Sequence, residues 1–280
     1  MFAVDHAATA LLIKRRFPSA PLPHLLLSVQ AMELAWVALN YAGIERTTTE
    51  PVVRSVADVH LAYMPYSHSV ATAAGGALIV WLVLEKGFRR ATVGRAVGLG
   101  IVSHLVLDLL THATDIVLYP GSSIALGAGL YDRAPMWGFA LEMVYGLFCW
   151  QVFRGGRALL ALIVLGNLAN LSLFSAAIPG PEQFLAGRPL ALVTLILVQI
   201  VTTLVLVAVF AEPKGSTYQF RTGGRTVDAI NPRHARFRVN LTANGAPGFP
   251  ALAGSRGVAT AWRRLGFAAR RDGGASRGGR

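Results

Sequence analysis

The chain has 280 residues, 54% of them hydrophobic and only 14% charged, with a mean hydropathy of +0.50. An ordinary soluble domain is roughly 25% charged, so this composition argues against a soluble enzyme, a disordered chain or a coiled coil and indicates an integral membrane protein. The net charge of +12 would suggest nucleic acid, but residues 1–211 hold 13 basic and 11 acidic side chains, a balance of +2, while residues 212–280 hold 13 and 3, a balance of +10.

The single cysteine, Cys149, excludes an intrachain disulfide. The 23 arginines against 3 lysines, with abundant Ala and Gly, suggest a GC-rich bacterial coding bias.

Residues 1–13 are apolar and precede Lys14, Arg15 and Arg16. That order is the reverse of a signal peptide. The segment is too short to span at about 1.5 Å per residue, and reads as a short helix that dips partway into the bilayer. Six stretches of near-spanning length follow, at 24–43, 66–84, 97–118, 134–153, 157–178 and 189–211. A spanning helix needs about 20 apolar residues. Basic residues fall in alternate loops: Lys14–Arg16, then Lys86, Arg89, Arg90 and Arg95, then Arg154 and Arg157, then the tail. Such loops face the cytoplasm.

The sequence therefore predicts an all-α fold, a polytopic membrane helix bundle of six transmembrane helices plus a short N-terminal helix over 1–211. Both termini are expected to be cytoplasmic, in a bacterial inner membrane. The tail, 212–280, is expected to be mostly disordered. Within it, 256–271 has the spacing of a basic amphipathic helix, with Arg263, Arg264, Arg270 and Arg271 placed for anionic lipid headgroups. No nucleic-acid module surrounds these arginines, so the expected partner is the lipid bilayer.

Ionisable residues inside membrane spans are costly and face the bundle interior. Asp5 and His6 lie in the N-terminal segment, and Gln30 and Glu33 are one helical turn apart in the first stretch. The second stretch opens Tyr66-Ser67-His68-Ser69, with Gly75–Gly76 offering a close helix approach. The third is the most polar. At about 100° per residue, His104, Asp108, Thr111, His112 and Asp115 share an arc of about 100°. Two imidazoles and two carboxylates on one intramembrane face suit a divalent ion such as zinc, manganese or iron, or a proton relay. The plainer reading is a polar stripe facing water or joining helices. Measured from the cytoplasmic face at about 1.5 Å per residue, His6, Glu33, His104 and Asp108 reach similar depths. His68 approaches from the outer side, nearer His112.

MPYSHS at 64–69 and SHLVLDLLTH at 103–112, with an N-terminal histidine and a polar group in the first span, resemble the bacterial YdjM-type membrane-bound metal-dependent hydrolases. DIVLYPGSSIALGAGLYD, which follows, resembles them too, and the likeness spans about residues 5–210. It implies a multi-spanning helical protein with a divalent metal, zinc or manganese. His6 matches the family's N-terminal histidine, His68 its T/S-H-S histidine, and His104 and Asp108 its S-H-x-x-x-D motif. The chain departs in the first span. There the family commonly has Pro-Asp-x-Asp, and this chain has Gln30-Ala31-Met32-Glu33. Glu33 can replace the last acid, but Gln30 cannot replace the first as an anionic ligand.

The expected metal set is thus His6, Glu33, His68, His104 and Asp108. His112 and Asp115 are the candidate catalytic groups, and Gln30, Ser67 and Ser103 are expected to support the ligands. No H-E-x-x-H, G-x-S-x-G or phosphate-loop motif offers another route. The competing expectations are a carrier using the same stripe and a degenerate scaffold, the latter favoured by Gln30.

Overall fold

Long apolar runs with few helix breakers fold as helices, and helix dominates the computed structural model, which describes residues 1–211 and two strands at 217–222 and 225–230. The helices are α1 (Ala3–Arg16), α2 (Leu22–Val29), α3 (Ala31–Tyr41), α4 (Val70–Leu82), α5 (Ala91–Thr111), the single-turn α6 (Leu130–Arg133), α7 (Pro135–Phe153), α8 (Arg157–Leu168) and α9 (Pro189–Phe210). Two short antiparallel ribbons sit in loops, β1 (Arg46–Thr49) with β2 (Val59–Tyr63) and β3 (Ile116–Val117) with β4 (Ala125–Leu126).

Four helices are long and apolar enough to cross a membrane: α4 with the π-helical turn that continues it to Gly87, then α5, α7 and α9. α2 and α3 pass the test together, bent by 54°. The sequence predicts its fifth span at 157–178, but α8 ends after 12 residues. Asn167 and Asn170 turn their amides back onto the carbonyls of Ile163 and Gly166. Such side chains compete with the helix's own ladder, and a 3-10 turn follows at Leu171–Phe174.

α1 packs within the bundle, against α2, α5, α7 and α9. Ten of its 14 residues are buried, including Ala3, Ala7, Ala8 and Ala10. Those small side chains let neighbours close in from every side.

Two apolar clusters lie along the bundle. One gathers Leu11, Ile13, Leu25, Val97, Phe153 and Leu159, near the ends that carry Lys14–Arg16, Arg95, Arg154 and Arg157. The other gathers Met32, Trp36, Met64, Leu105 and Val193. On α5, Leu99, Val102, Val106 and Leu110 are exposed along one face. Gly100, His104, Asp108 and Thr111 are buried on the other.

Close helix contact is made by glycines other than the expected pair. A Cβ at Gly75 or Gly76 would meet nothing within 4 Å. One at Gly100 would lie 2.0 Å from Ser28 Oγ and 2.9 Å from Ser28 Cβ. α5 therefore admits α2 at backbone distance.

The chain divides after Pro213. In the second unit, β5 (Thr217–Thr222) pairs with β6 (Arg225–Ile230) in an antiparallel ribbon, so this part of the tail departs from the disorder expected there. Gly223–Gly224 joins two runs of alternating apolar residues, a hairpin signature that the composition argument overlooked. The candidate lipid-binding arginines Arg263, Arg264, Arg270 and Arg271 lie outside the described residues.

Candidate metal centre

The site begins with a break in a helix. Gln30 adopts φ −114°, ψ 6°, which separates α2 from α3. The carbonyl of Val29 is then free to point sideways. It lies 2.7 Å from His104 Nδ1, across the contact that Gly100 permits. A carbonyl can only accept, so Nδ1 carries the proton and His104 Nε2 presents a lone pair.

His68 is oriented by a longer chain. Ser67 Oγ donates to Glu45 Oε2 at 2.6 Å and lies 2.8 Å from His68 Nδ1. With its proton given to Glu45, the hydroxyl accepts from Nδ1–H, and His68 Nε2 is left as the free acceptor. Glu45 is itself buried and accepts from the backbone N–H groups of Tyr66 and Ser67.

The inward atoms converge. His104 Nε2 is 3.0 Å from Asp108 Oδ2 and 3.7 Å from Glu33 Oε2. His68 Nε2 is 3.3 Å from Glu33 Oε2 and 3.7 Å from Asp108 Oδ2. His6 Nε2 is 3.2 Å from Asp108 Oδ1. The ligand atoms of His6, His104 and Asp108 lie within 4.8 Å of one another, and so do those of Glu33, His68 and His104. The five expected ligands therefore form two adjoining triads that share His104.

His68 Nε2, His104 Nε2 and Asp108 Oδ2 are buried and make no hydrogen bond. Buried polar atoms are nearly always partnered. Three converging electron-pair donors without a donor hydrogen among them are what a cation would satisfy, and the mixed imidazole and carboxylate set suits zinc or manganese. The Met1 amine also reaches this point, 2.6 Å from Asp108 Oδ1 and 3.0 Å from Thr111 Oγ1.

The expected catalytic pair is displaced from its predicted helical positions. α5 ends at Thr111, and His112 is its extended C-cap, with ψ 154°. The last carbonyls are satisfied by amides of the following loop, Ala128 N to Leu109 O and Gly129 N to His112 O. Gly127 makes this possible, since a Cβ there would lie 1.9 Å from Ala113 O. Asp115 therefore lies in a turn and not on the helical stripe. It still approaches His112, Oδ1 to Nδ1 at 3.6 Å, and His112 Nε2 lies 3.8 Å from Asp108 Oδ1.

Of the expected supporting residues, Ser67 has such a contact. Gln30 is buried, but its amide donates to the carbonyl of Ala3 and ties α1 to the helix break. Ser103 donates to its own helix at Gly100 O. The orienting role expected there is taken by Val29.

Three acidic residues were missed as participants. Glu45 sits in a mixed loop, where no pattern marks it. Glu142 lies midway along the stretch 134–153 and is buried, accepting from Phe2 N and from Tyr131 OH. The intramembrane-charge rule used for Glu33 would have found it. Asp5 is fully buried beside Gly146, with neither carboxylate oxygen hydrogen-bonded.

A cavity of about 150 Å³ adjoins the centre, lined by His6, Glu33, Trp36, His112, Asp115 and Ile200, among others.

The family model described as YdjM inner membrane protein matches residues 59–178. That stretch contains the Ser67-His68-Ser69 and Ser103-His104…Asp108 motifs, so the resemblance drawn from them holds there, and with the apolar helices it identifies a membrane protein. His6, Gln30 and Glu33 precede it. No curated protein and no solved structure matches the chain.

Proposed function

We propose that this is a multi-pass inner-membrane hydrolase that uses a divalent metal, zinc or manganese, to cleave a lipid-like or phosphoester substrate. The observation that carries the reading is the convergence of His68 Nε2, His104 Nε2 and Asp108 Oδ2, buried and without hydrogen-bond partners. A bound divalent ion supplies a water of lowered pKa and polarises the scissile oxygen.

The chain's own residues supply the rest. Val29 O and Ser67 Oγ fix the tautomers of His104 and His68 and aim both rings. His6, Glu33 and Asp108 complete the ligand set. His112 borders the cavity with Asp115 beside it, so its ring can take a proton from water and be steadied by that carboxylate. Trp36, Ile196 and Ile200 line the cavity with apolar surface, which suits an amphiphile whose reacting group alone enters. The basic ends, Lys14–Arg16, Arg89–Arg95 and Arg154–Arg157, face the cytoplasm in this reading, and both termini lie on that side.

One observation favours a second reading, a scaffold that has lost activity. Gln30, standing where relatives carry an acid, is used to hold the carbonyl of Ala3. Hydrolysis decides between them. Detergent-purified protein loaded with Zn²⁺ or Mn²⁺ is assayed against phospholipid and phosphoester panels, beside His104→Ala and Asp108→Ala. Turnover lost in both variants supports the hydrolase. Metal binding without turnover favours the scaffold or a carrier. Equal, sub-stoichiometric metal in all three proteins sinks the metal reading.

A further inference from the structure

We propose that the cavity beside the centre is a water-filled vestibule that opens on the membrane face opposite the basic helix ends and favours cationic ligands. Its ligand is an amphiphile reached from that face, with a headgroup that carries a cation. The proposal rests on the centre above being the reacting site, but the vestibule is tested without metal.

The first observation is which segments form the mouth. The floor is buried, and includes His6, Gln30, Trp36 and Ile200. At the rim Asp132 is exposed, and Val56, Val59 and Leu61 are half-buried. The segment 56–61 precedes α4, whose far end carries Lys86. Asp132 precedes α7, whose far end is capped by Arg154. His112 and Asp115, also in the lining, follow α5, which begins after Arg90. Each of these segments therefore sits at the end of a spanning helix remote from its basic residues. Basic ends mark the cytoplasmic side, so the mouth opens on the other.

The second observation lies at the floor. Trp36 Nε1 and Gln30 Oε1 are buried in the cavity wall and make no hydrogen bond. Buried polar atoms are nearly always partnered. A donor and an acceptor in one wall are satisfied by water or a polar headgroup, and an acyl chain can satisfy neither.

The third is charge. The described lining includes the carboxylates of Glu33, Asp115 and Asp132 and no Lys or Arg. The Met1 amine, which also lines the cavity, is paired with Asp108 at 2.6 Å. With the histidines neutral, a divalent ion and this amine set against Glu33, Asp108, Asp115 and Asp132 still leave the balance negative. A cleft lined by one sign of charge raises the local concentration of the opposite charge by about 10–10³. An ion at the floor would attract an anionic reacting group, while the rim favours a cation at the other end of the ligand.

The test is cysteine labelling of the full chain in membrane vesicles, with Cys149 replaced by alanine. Ile196 lines the cavity about 10 Å along α9 from Pro189. Leu195, its neighbour in sequence, is exposed on the surface of the bundle. In right-side-out vesicles a membrane-impermeant thiosulfonate should label Ile196→Cys and spare Leu195→Cys, which faces acyl chains. Relative to their rates with a free thiol, a cationic reagent should outpace an anionic one at Ile196→Cys by about tenfold or more. Adding Asp132→Asn should lower that ratio. Labelling from inverted vesicles alone overturns the vestibule, as does equal labelling of Leu195→Cys, or no labelling of Ile196→Cys while Asp132→Cys reacts. An anionic preference, or none, overturns the ligand class. Gln199→Cys, one turn on in the same wall, answers both questions if Ile196→Cys does not accumulate. Labelling needs neither metal nor turnover, so its failure leaves the metal centre standing, and a chain that binds no metal still decides the vestibule.

Discussion

Replacing Gly100 with alanine tests whether His104 is aimed by the backbone of a neighbouring helix. The new Cβ would lie 2.0 Å from Ser28 Oγ, 2.9 Å from Ser28 Cβ and 3.4 Å from Val29 N. Rotating Ser28 removes the first overlap at the expense of its 2.8 Å bond to Leu25 O. The second overlap involves an atom fixed to the backbone, so α2 must retreat by roughly 0.6–1 Å to restore contact at about 3.5 Å. The 2.7 Å separation of His104 Nδ1 from Val29 O then stretches to the edge of a hydrogen bond. Overpacking of this kind costs about 1–3 kcal/mol of stability. Loss of an orienting partner weakens metal binding by about 10–100-fold. Competition against a chromogenic chelator measures the affinity, and thermal unfolding in detergent measures the stability. Adding Ser28→Gly removes both overlapping atoms and should return most of the lost affinity. A folded Gly100→Ala protein that binds metal as tightly as wild type would refute the reasoning, as would failure of the second change to rescue.

Ser67→Ala should break the link from Glu45 to His68 and weaken metal binding by about 10-fold or more, read in the same competition assay. Glu45→Ala leaves three donors, Tyr66 N, Ser67 N and Ser67 Oγ, without their acceptor. It should lower stability by about 1–3 kcal/mol, while Glu45→Gln, which keeps an acceptor oxygen, should cost less. Tyr131→Phe removes a donor from the buried Glu142 carboxylate and should cost about 1–3 kcal/mol by denaturant unfolding; an unchanged midpoint would show that Phe2 N alone suffices. Chelation should lower the melting temperature of the loaded protein, because an ion at about 100 times its Kd contributes about 2.7 kcal/mol. A melting temperature indifferent to chelator would mean that no ion binds the folded state preferentially.

Much of the centre was legible because charge inside an apolar run is conspicuous. Glu33, His68, His104 and Asp108 each interrupt a hydrophobic stretch, and helical spacing places the last two on one face. His6 reaches the other candidate ligands because α1 lies inside the bundle, although its length gave no hint that other helices would surround it. His112 and Asp115 were placed by a helical period that stops at Thr111. The stop is set by amides from residues 128 and 129, and a periodicity argument cannot see a contact made from the next loop. The partners of His104 and His68 were hidden for the same reason. One is a main-chain carbonyl, which has no residue type to recognise. The other is Glu45, from a loop whose apolar and polar residues show no pattern. The fifth stretch forms a helix of only 12 residues, because the amides of Asn167 and Asn170 compete directly for backbone carbonyls, which an average over the whole stretch does not register.

α1 precedes α2, α5, α7 and α9 in the chain, yet it is enclosed by them. At 14 residues it cannot be held across the bilayer alone. It must therefore wait until α9, almost two hundred residues later, has been synthesised before its last neighbour is in place. Seating it brings together contacts of long sequence separation, which form slowly. His6 arrives with it. A bundle without α1 in place would carry His68, His104 and Asp108 without the histidine that faces the far oxygen of Asp108.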